Sequence, residues 1–140
     1  MEAELPGTVV IADMEAGLEH LSWAGGTLRY VDTLLIVAEP QSKVLLTARR
    51  AHRLATQLGV ERIAFVGNRA RPGEEQRLEE FAASLDSELV AVVPEDPAVT
   101  AADRDGVCPL DSAPESPAVS AIRRLAADLE ARYLAAAPDR

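Results

Sequence analysis

Aromatic residues, cysteine and lysine are all scarce in this chain of 140 residues. Aromatic side chains make up 4% of the sequence although hydrophobic residues reach 48%, so the core must consist mainly of Leu, Val, Ile and Ala. The single Cys108 excludes a disulfide framework and a multi-cysteine metal site within one chain. The formal net charge of −9 argues against nonspecific nucleic-acid binding, because no cluster of cations is present to meet a phosphate backbone.

Long apolar runs and targeting signals are also missing. The longest uninterrupted apolar stretches, such as LLIVA, are far too short to span a bilayer. The first residues, MEAELPG, have neither a basic region nor an apolar one, so we expect no signal peptide. We therefore expect a cytoplasmic protein that does not enter the membrane. Its length suits one domain covering residues 1–140.

Sequence motifs that hold phosphates are absent as well. A P-loop needs G-x-x-x-x-G-K-[ST], because backbone N–H groups must surround the phosphates and the lysine must reach the terminal ones. The only lysine, Lys43, has no glycine loop before it, and no G-x-G-x-x-G follows any predicted strand. A response-regulator receiver would need a lysine late in the chain and a second strand that ends on an acidic residue, and neither is present. These absences argue against a self-sufficient nucleotidase.

Four apolar, β-branched segments predict the strands of an α/β fold. They are TVVIA (Thr8–Ala12), TLLIVA (Thr33–Ala38), RIAFVG (Arg62–Gly67) and LVAVV (Leu89–Val93). Because the runs are apolar nearly throughout, they suit a parallel sheet that is covered on both faces. Helical periodicity predicts the covering helices over Ser42–Leu58, over Glu74–Leu85 and from Pro117 onward. The expected fold is a three-layer, mostly parallel sheet of about four strands flanked by helices.

The last helix has the clearest pattern. Ser116 is placed to cap it, and Pro117 suits its first turn. Apolar residues at helical spacing predict its buried face, which we expect to consist of Val119, Ile122, Leu125, Ala126, Leu129 and Tyr133.

Polar residues follow several strands, at the sheet edge where ligands bind in open α/β folds. Asp13 precedes Gly17 by four residues, so its carboxylate could hold a Mg²⁺-bound water while the glycine approaches a phosphate. Asn68 ends the third predicted strand and offers both a donor and an acceptor to a purine. The loop Pro94–Asp96 could cradle a base. Each residue also has a structural alternative as a turn former or a helix cap, and the residues alone leave both interpretations open.

In series, these segments resemble the CooC-like ATPases of the MinD/ParA group of P-loop ATPases. The matching pieces are VVIADMEAGLEHL, VDTLLIVAEPQSKVLLTARRAHRLATQLGVERIAFVGNR and VPEDPAVTAADRDGVCPLDSAPESPAVSAIRRLA, in the family's order. The resemblance covers nearly the whole chain, from Val9 to about Leu129. It implies a partial P-loop NTPase fold, ATP and Mg²⁺ as cofactors, and a dimer that closes around ATP.

The resemblance also implies roles for individual residues. Asp13 would be the catalytic, Mg²⁺-associated aspartate of the switch segment, and Gly17 its γ-phosphate sensor. The adenine side would be formed by Asn68, Arg69, Pro94, Glu95 and Asp96. In the family, ATP drives nickel delivery to carbon monoxide dehydrogenase, so a client metalloenzyme is an expected partner.

Two parts of the family pattern have no counterpart in this sequence: the Gly-rich phosphate loop and a Cys-x-Cys metal pair. We therefore predict the C-terminal half of such a protein, unable to hydrolyse ATP alone, and leave open whether it takes part in catalysis within an assembly. In the family, the P-loop strand lies between the Asp13 strand and the strand Thr33–Ala38. Its absence predicts unpaired strand edges and apolar surface that need a partner.

Two other functions stay open. The chain could be a non-catalytic interaction module that pairs with a complete homologue through the former dimer face. It could also be a receiver- or flavodoxin-like binding domain unrelated to nucleotidases.

Overall fold

The computed structural model describes residues 10–14 and 31–133, in which strands alternate with helices. The elements are β1 (Leu34–Ala38), α1 (Ser42–Gln57), β2 (Ile63–Ala70), α2 (Glu75–Ala83), β3 (Glu88–Pro94), α3 (Pro97–Asp105), α4 (Pro109–Ser112) and α5 (Pro117–Tyr133). This alternation confirms the predicted α/β class. None of the described helices combines the length and the apolar character needed to cross a membrane.

The three strands form one parallel sheet in the order β1-β2-β3. All five residues of β1 pair with β2 in continuous register. The pairing of β2 with β3 is irregular at two places, and the second lies between Gly67 and Ala70. Since the carboxyl ends of parallel strands meet at the same edge of a sheet, the loops that follow β1, β2 and β3 lie along one edge.

One predicted strand is not part of this sheet. Residues 10–12 of the expected strand Thr8–Ala12 have no regular secondary structure, and Val10 and Ile11 are 76% and 86% exposed. The prediction of about four strands was therefore wrong by one within the described ranges. A β-branched run becomes a strand only when it pairs with another strand. In the family that the sequence resembles, the neighbour of this segment is the P-loop strand, which the sequence lacks.

Helices α1 and α2 cover one face of the sheet. The core beneath them is built from β1, β2 and both helices, and consists of Ile36, Ala38, Leu45, Ala48, Phe65, Ala70, Leu78, Phe81 and Ala82. Gly67 allows α2 to pack against the backbone of β2, because a Cβ atom at this position would lie 2.5 Å from Leu78 Cδ1. At one side of this core the ring of His52 stacks on Phe65, with the ring centroids 5.8 Å apart.

Helix α5 covers the opposite face, but only over β3 and β2. Its core cluster consists of Val66, Val93, Ala118, Ala121 and Leu125. The cover thins out over β1, where Leu35 still packs against this cluster. Leu35 is only partly buried, and Val37 is 59% exposed although Val66, its partner in register on β2, is 4% exposed.

The buried face of α5 differs from the prediction. Ile122 is 46% exposed and Ala126 is also exposed, whereas Ala118 and Ala121 are buried. Two sets of residues along this helix have helical spacing, and the sequence pattern favoured the one with larger side chains. The helix instead buries small alanines, which let it approach β3 closely. Val119 and Leu125 are buried as expected, and the side chain of Tyr133 lies outside the described part.

Candidate functional site

The loops that follow β2 and β3 are tied together at the carboxyl edge of the sheet. The backbone N–H of Glu95 donates to the carbonyl of Ala70 over 2.8 Å. Arg71 Nε donates to Glu95 Oε2 over 2.6 Å, and the backbone N–H of Arg71 donates to Glu74 Oε2 over 2.9 Å. The hydrogen bond and the charge of Arg71 hold the pKa of Glu95 below its usual value. The end of β2 therefore fixes the position of the loop after β3.

Arg71 was missed by the sequence reading. Two signals in the sequence point to this pair. Arg71 comes directly after one strand and Glu95 directly after the next. Because adjacent parallel strands end at the same edge, opposite charges at these two positions are expected to meet. The pKa of Arg71 is raised mainly by the hydrogen bond to Glu95.

Asn68 lies inside β2, two residues before its end, and not at the end of the strand as predicted. The strand continues because Ala70 still pairs with Pro94 of β3 after the irregularity. The Asn68 side chain is half-buried, and its amide has no hydrogen-bond partner among the described residues. It therefore keeps both a donor and an acceptor available at the carboxyl edge.

Arg69 is exposed and has a positive φ of 52°, a region that residues with a Cβ atom rarely adopt. Its Nη1 lies 3.7 Å from Glu39 Oε1, in the loop after β1. Strained backbone of this kind is concentrated at functional sites, where the surrounding structure holds it in place. Arg69 thus connects the loop after β1 to the irregular end of β2.

Asp96 caps two helices at once. Its Oδ1 accepts from the backbone N–H of Ala98 over 2.9 Å, at the start of α3. Its Oδ2 accepts from the N–H of Ala118 over 3.1 Å, at the start of α5. The side chain is buried, and the hydrogen bonds from Ala118 and then Ala98 lower its pKa. Both oxygens are thus engaged, which supports the helix-capping interpretation of this residue, while its contact with a base stays a prediction.

Asp13 lies away from these loops. The next residue, Met14, packs on the cluster of Ala55 and Val60, together with Leu34 and Ile63. Leu34 and Ile63 begin β1 and β2, so this cluster marks the amino end of the sheet, opposite to Asn68. Asp13 itself is exposed. Gly17 lies outside the described residues, so its predicted role and that of Asp13 stay predictions.

Two open clefts flank the loop Pro94–Asp96. One, of about 320 Å³, is lined by Glu95, Pro97, Thr100, Ala101 and Arg104. The other, of about 370 Å³, is lined by Glu75, Val92, Pro94, Pro117, Ser120 and Arg124. Both volumes are at the small end of ligand sites, and Asn68 lines neither cleft. Among the described residues, no group of three His, Cys, Asp or Glu side chains is arranged to hold a metal ion.

Curated relatives identify the class of protein. The carbon monoxide dehydrogenase accessory protein CooC of Rhodospirillum rubrum is 39% identical over 106 residues, which cover 75% of this chain and 39% of CooC. An uncharacterized ATP-binding protein of Methanocaldococcus jannaschii is 39% identical over 89 residues, or 63% of this chain and 34% of that protein. This chain is a homologue of CooC and the MinD-like ATP-binding proteins. No protein-family model matches the sequence.

Solved structures agree with the homology to CooC. The cell division ATPase MinD of Pyrococcus furiosus is 27% identical with a TM-score of 0.59, covering 71% of this chain and 42% of that one. MinD of Pyrococcus horikoshii, complexed with Mg-ADP, is 25% identical with a TM-score of 0.60, covering 75% of this chain and 43% of that one. The open parallel sheet is therefore part of a MinD-type P-loop NTPase fold. The chain spans 34% to 42% of the length of the curated relatives that it matches.

Proposed function

We propose that this chain forms the adenine side of the ATP site of a CooC-like protein, and that further polypeptide supplies the phosphate side. The observation that carries the proposal is Asn68, whose half-buried amide has no partner among the described residues and lies at the carboxyl edge of the sheet. A carboxamide in that position matches the donor and acceptor pattern on the edge of adenine. The homology to ATP-binding proteins supports the class of ligand.

The remaining residues of the adenine side shape the site in different ways. Arg69 is exposed and makes only a long ion pair of 3.7 Å with Glu39, so its guanidinium can still reach a ligand, whereas Glu95 is held by Arg71 and Asp96 by two helix amides. Pro94 stiffens the loop where β3 ends. Asn68 and Arg69 are thus the groups that touch the nucleotide, and Pro94, Glu95 and Asp96 keep the loop beside the base in one conformation.

The phosphate side depends on residues that this chain provides only in part. By the resemblance, Asp13 and Gly17 would belong to it, and Asp13 would have to leave the amino end of the sheet, where its neighbour Met14 packs, to reach Mg²⁺. Mg²⁺ is commonly held by one or two carboxylates together with waters and substrate phosphates, so a single aspartate suits it only when ATP phosphates are gripped nearby. The sequence has no P-loop to provide that grip. ATP and Mg²⁺ are therefore cofactors of the assembled protein.

Calorimetry tests the division of the site. Titration of Mg-ATP into the purified chain should give no micromolar binding, and the chain should show no ATP turnover, because the phosphate grip is missing. Micromolar affinity or measurable hydrolysis by the chain alone would contradict this part of the proposal.

Nuclear magnetic resonance tests the adenine side directly. Asn68 is the only asparagine in the sequence, so ¹⁵N-asparagine labelling gives one pair of side-chain amide signals. Millimolar adenosine should shift that pair, and guanosine should shift it less, because the edge of guanine reverses the donor and acceptor pattern. The glutamine side chains, labelled in a second sample, should not move. Equal shifts with both nucleosides, or no shift, would sink the assignment.

In this proposal the assembled protein is a cytoplasmic ATPase that serves a client metalloenzyme. The CooC relative is named as an accessory protein of carbon monoxide dehydrogenase, which supports the client. The second candidate function is a non-catalytic module that pairs with a complete homologue, and the exposed face of β1 favours it. Copurification of this chain with full-length R. rubrum CooC, without any change in the ATPase rate of CooC, would support the module over the half-site.

A further inference from the structure

Helix α1 has a charge opposite in sign to that of the whole chain. Its 16 residues, SKVLLTARRAHRLATQ, contain one lysine and three arginines and neither Asp nor Glu. The chain as a whole carries a formal charge of −9. Helix α5, of similar length, mixes the two signs, because Asp128 and Glu130 accompany its arginines. Positive charge is therefore concentrated on one helix of an acidic protein.

Most of this charge lies on the side of α1 that faces away from the sheet. The buried residues of α1 are Leu45, Ala48 and Ala55. Four exposed residues follow one another at intervals of three or four along the opposite side, which is the spacing of one helical face. They are Lys43, Leu46, Arg50 and Arg53, and Leu46 is 50% exposed. We call these four residues the basic stripe.

The three cations of the basic stripe have no partner within the described part of the chain. No ion pair or side-chain hydrogen bond there involves Lys43, Arg50 or Arg53. Arg49, on a different side of the helix, is engaged: its Nη2 donates to Ser84 Oγ over 3.3 Å, and its guanidinium lies 5.5 Å from the centroid of the Phe81 ring. Arg49 thus holds α1 on α2, whereas the cations of the basic stripe are available to another molecule.

The basic stripe weakens the helix that carries it. Lys43 lies in the first turn, where positive charge is unfavourable because the N-terminus of the helix dipole is itself positive. Arg50 and Arg53 are three residues apart, and like charges at this spacing repel each other. No carboxylate in α1 offsets these terms. Because the stripe does not stabilise the helix, a contact with another molecule accounts for its presence.

Helix α1 is fixed in place by side-chain hydrogen bonds along its length. Ser42 Oγ accepts from Arg77 Nη2 over 2.8 Å at the start of the helix. His52 Nε2 and Ser87 Oγ are hydrogen-bonded over 2.9 Å further along, beyond the bond from Arg49 to Ser84. The basic stripe is therefore presented on a rigid element, and a partner that binds it has mainly its own residues to order.

We propose that the basic stripe binds an acidic amphipathic helix of a partner protein. The carboxylates of that helix pair with Lys43, Arg50 and Arg53, and one of its apolar side chains packs on Leu46. Charge complementarity of this kind gives specificity and fast association. The inference goes beyond the proposed function, because the stripe is not part of the nucleotide site.

Two other anionic surfaces fit the basic stripe less well. A nucleic acid would be repelled by the net charge of −9, and three cations neutralise few phosphates. A membrane-surface helix inserts its apolar face among the lipids, but the apolar face of α1 is buried against the sheet. An acidic helix needs only a few local charges and one apolar contact.

The test titrates the purified chain into a fluorescein-labelled synthetic helical peptide in which Glu and Leu recur at helical spacing. Fluorescence anisotropy at low salt should show saturable binding, and amide NMR signals of residues 43–53 should shift. Raising NaCl from about 50 to about 300 mM should weaken the binding about tenfold, because the paired charges are exposed. The same peptide with Gln in place of Glu should bind at least about tenfold more weakly.

Charge reversal locates the contact on the protein. Arg50→Glu combined with Arg53→Glu should weaken binding at least about twentyfold without lowering the melting temperature, because both side chains are exposed. Arg123→Glu combined with Arg124→Glu, on exposed positions of α5, is the matched control. It changes the net charge equally and should weaken binding less than about threefold. Leu46→Ala should weaken binding about threefold to tenfold through the lost apolar contact.

Each other outcome overturns the proposal. Absence of saturable binding, equal affinity for the Gln peptide, NMR shifts confined to other elements, or equal losses in the two double variants would reject the basic stripe. An unchanged affinity of Leu46→Ala would reject the apolar contact. Tighter binding to phosphatidylglycerol vesicles or to a DNA duplex than to the peptide would replace the acidic helix with a membrane or a nucleic acid.

Discussion

The two edge strands of the sheet, β1 and β3, are covered to different extents by the rest of the described chain. On the β3 side, α5 lies over the strand, Asp96 joins the starts of α3 and α5, and Arg132 near the end of α5 bonds to Glu88 at the start of β3. On the β1 side, one face and the outer edge have no such cover among the described residues. Among the described residues, the face over β3 is therefore covered more fully than the same face over β1.

The contrast is sharpest between two valines that are neighbours on the same face of the sheet. Val37 of β1 and Val66 of β2 are partners in register, yet Val37 is 59% exposed and Val66 is 4% exposed. The same residue type on the same face thus has a different environment one strand further along. Burial here depends on where α5 ends its cover and not on the apolar character of the strands.

The largest expected effect comes from truncating these two valines. Val66→Ala should lower the free energy of unfolding by about 1.5–3 kcal/mol, because it removes buried methyl groups and leaves a cavity. Val37→Ala should change it by less than about 0.5 kcal/mol, as for most exposed positions. Urea denaturation of both variants measures the difference. Equal losses would mean that Val37 is covered in solution and would end the comparison.

Asp96 should produce the next largest effect, because it holds the β3 side together. Asp96→Ala removes the cap of α3 and the bond to α5, and should lower the melting temperature by roughly 5 °C. Its pKa is lowered from 3.8 by the two backbone hydrogen bonds. The stability it contributes is therefore present above pH 3.8 and is lost as the pH falls through the lower folded-state pKa.

The matched control for Asp96 is Asp103→Ala, on the exposed surface of α3. That variant should keep both the melting temperature and the acid dependence of the parent chain. If Asp96→Ala melts like the control and unfolds in acid as the parent does, the two-helix cap has no energetic role.

Particular residues show how far the sequence could predict this molecule. The apolar runs predicted the starts of three strands to within one residue, because short runs rich in β-branched residues favour buried strands over helices. The strand expected at Thr8–Ala12 failed, since pairing depends on a neighbour that no local pattern reveals. Asn68 and the loop Pro94–Asp96 were candidates from the residues alone, and their roles at an adenine come from the resemblance and stay predictions. The capping of two helices by Asp96 could not be predicted from the sequence, because Ala118, one of its two donors, lies 22 residues away.

A smaller effect is expected from His52, on the face that α1 and α2 cover. Burial lowers the pKa of His52 below 6.5, so the unfolded chain takes up this proton first as the pH falls. The contribution of His52 to the free energy of unfolding should be constant above about pH 6.5. Below that pH it should reduce the stability, until the pH reaches the folded-state pKa of His52. Melting temperatures between pH 8 and pH 5 should therefore fall less in His52→Gln than in the parent. An identical pH profile would contradict the partial burial of this ring.

The smallest effect is expected at the bond between Arg132 and Glu88. Arg132 Nη1 and Nη2 donate to Glu88 Oε2 and Oε1 over 2.9 and 3.0 Å, which joins the end of α5 to the start of β3. The side chains are 49% and 57% exposed, so solvent screens the pair. Glu88→Gln should cost about 0.2–1 kcal/mol, and most of that cost should disappear in 1 M NaCl. Glu79→Gln, exposed on α2, is the control and should cost nothing. A loss of stability at Glu88 that persists in high salt would mean that the two hydrogen bonds position α5 on β3. The packing of α5 on β3 would then depend on this contact as well as on Asp96.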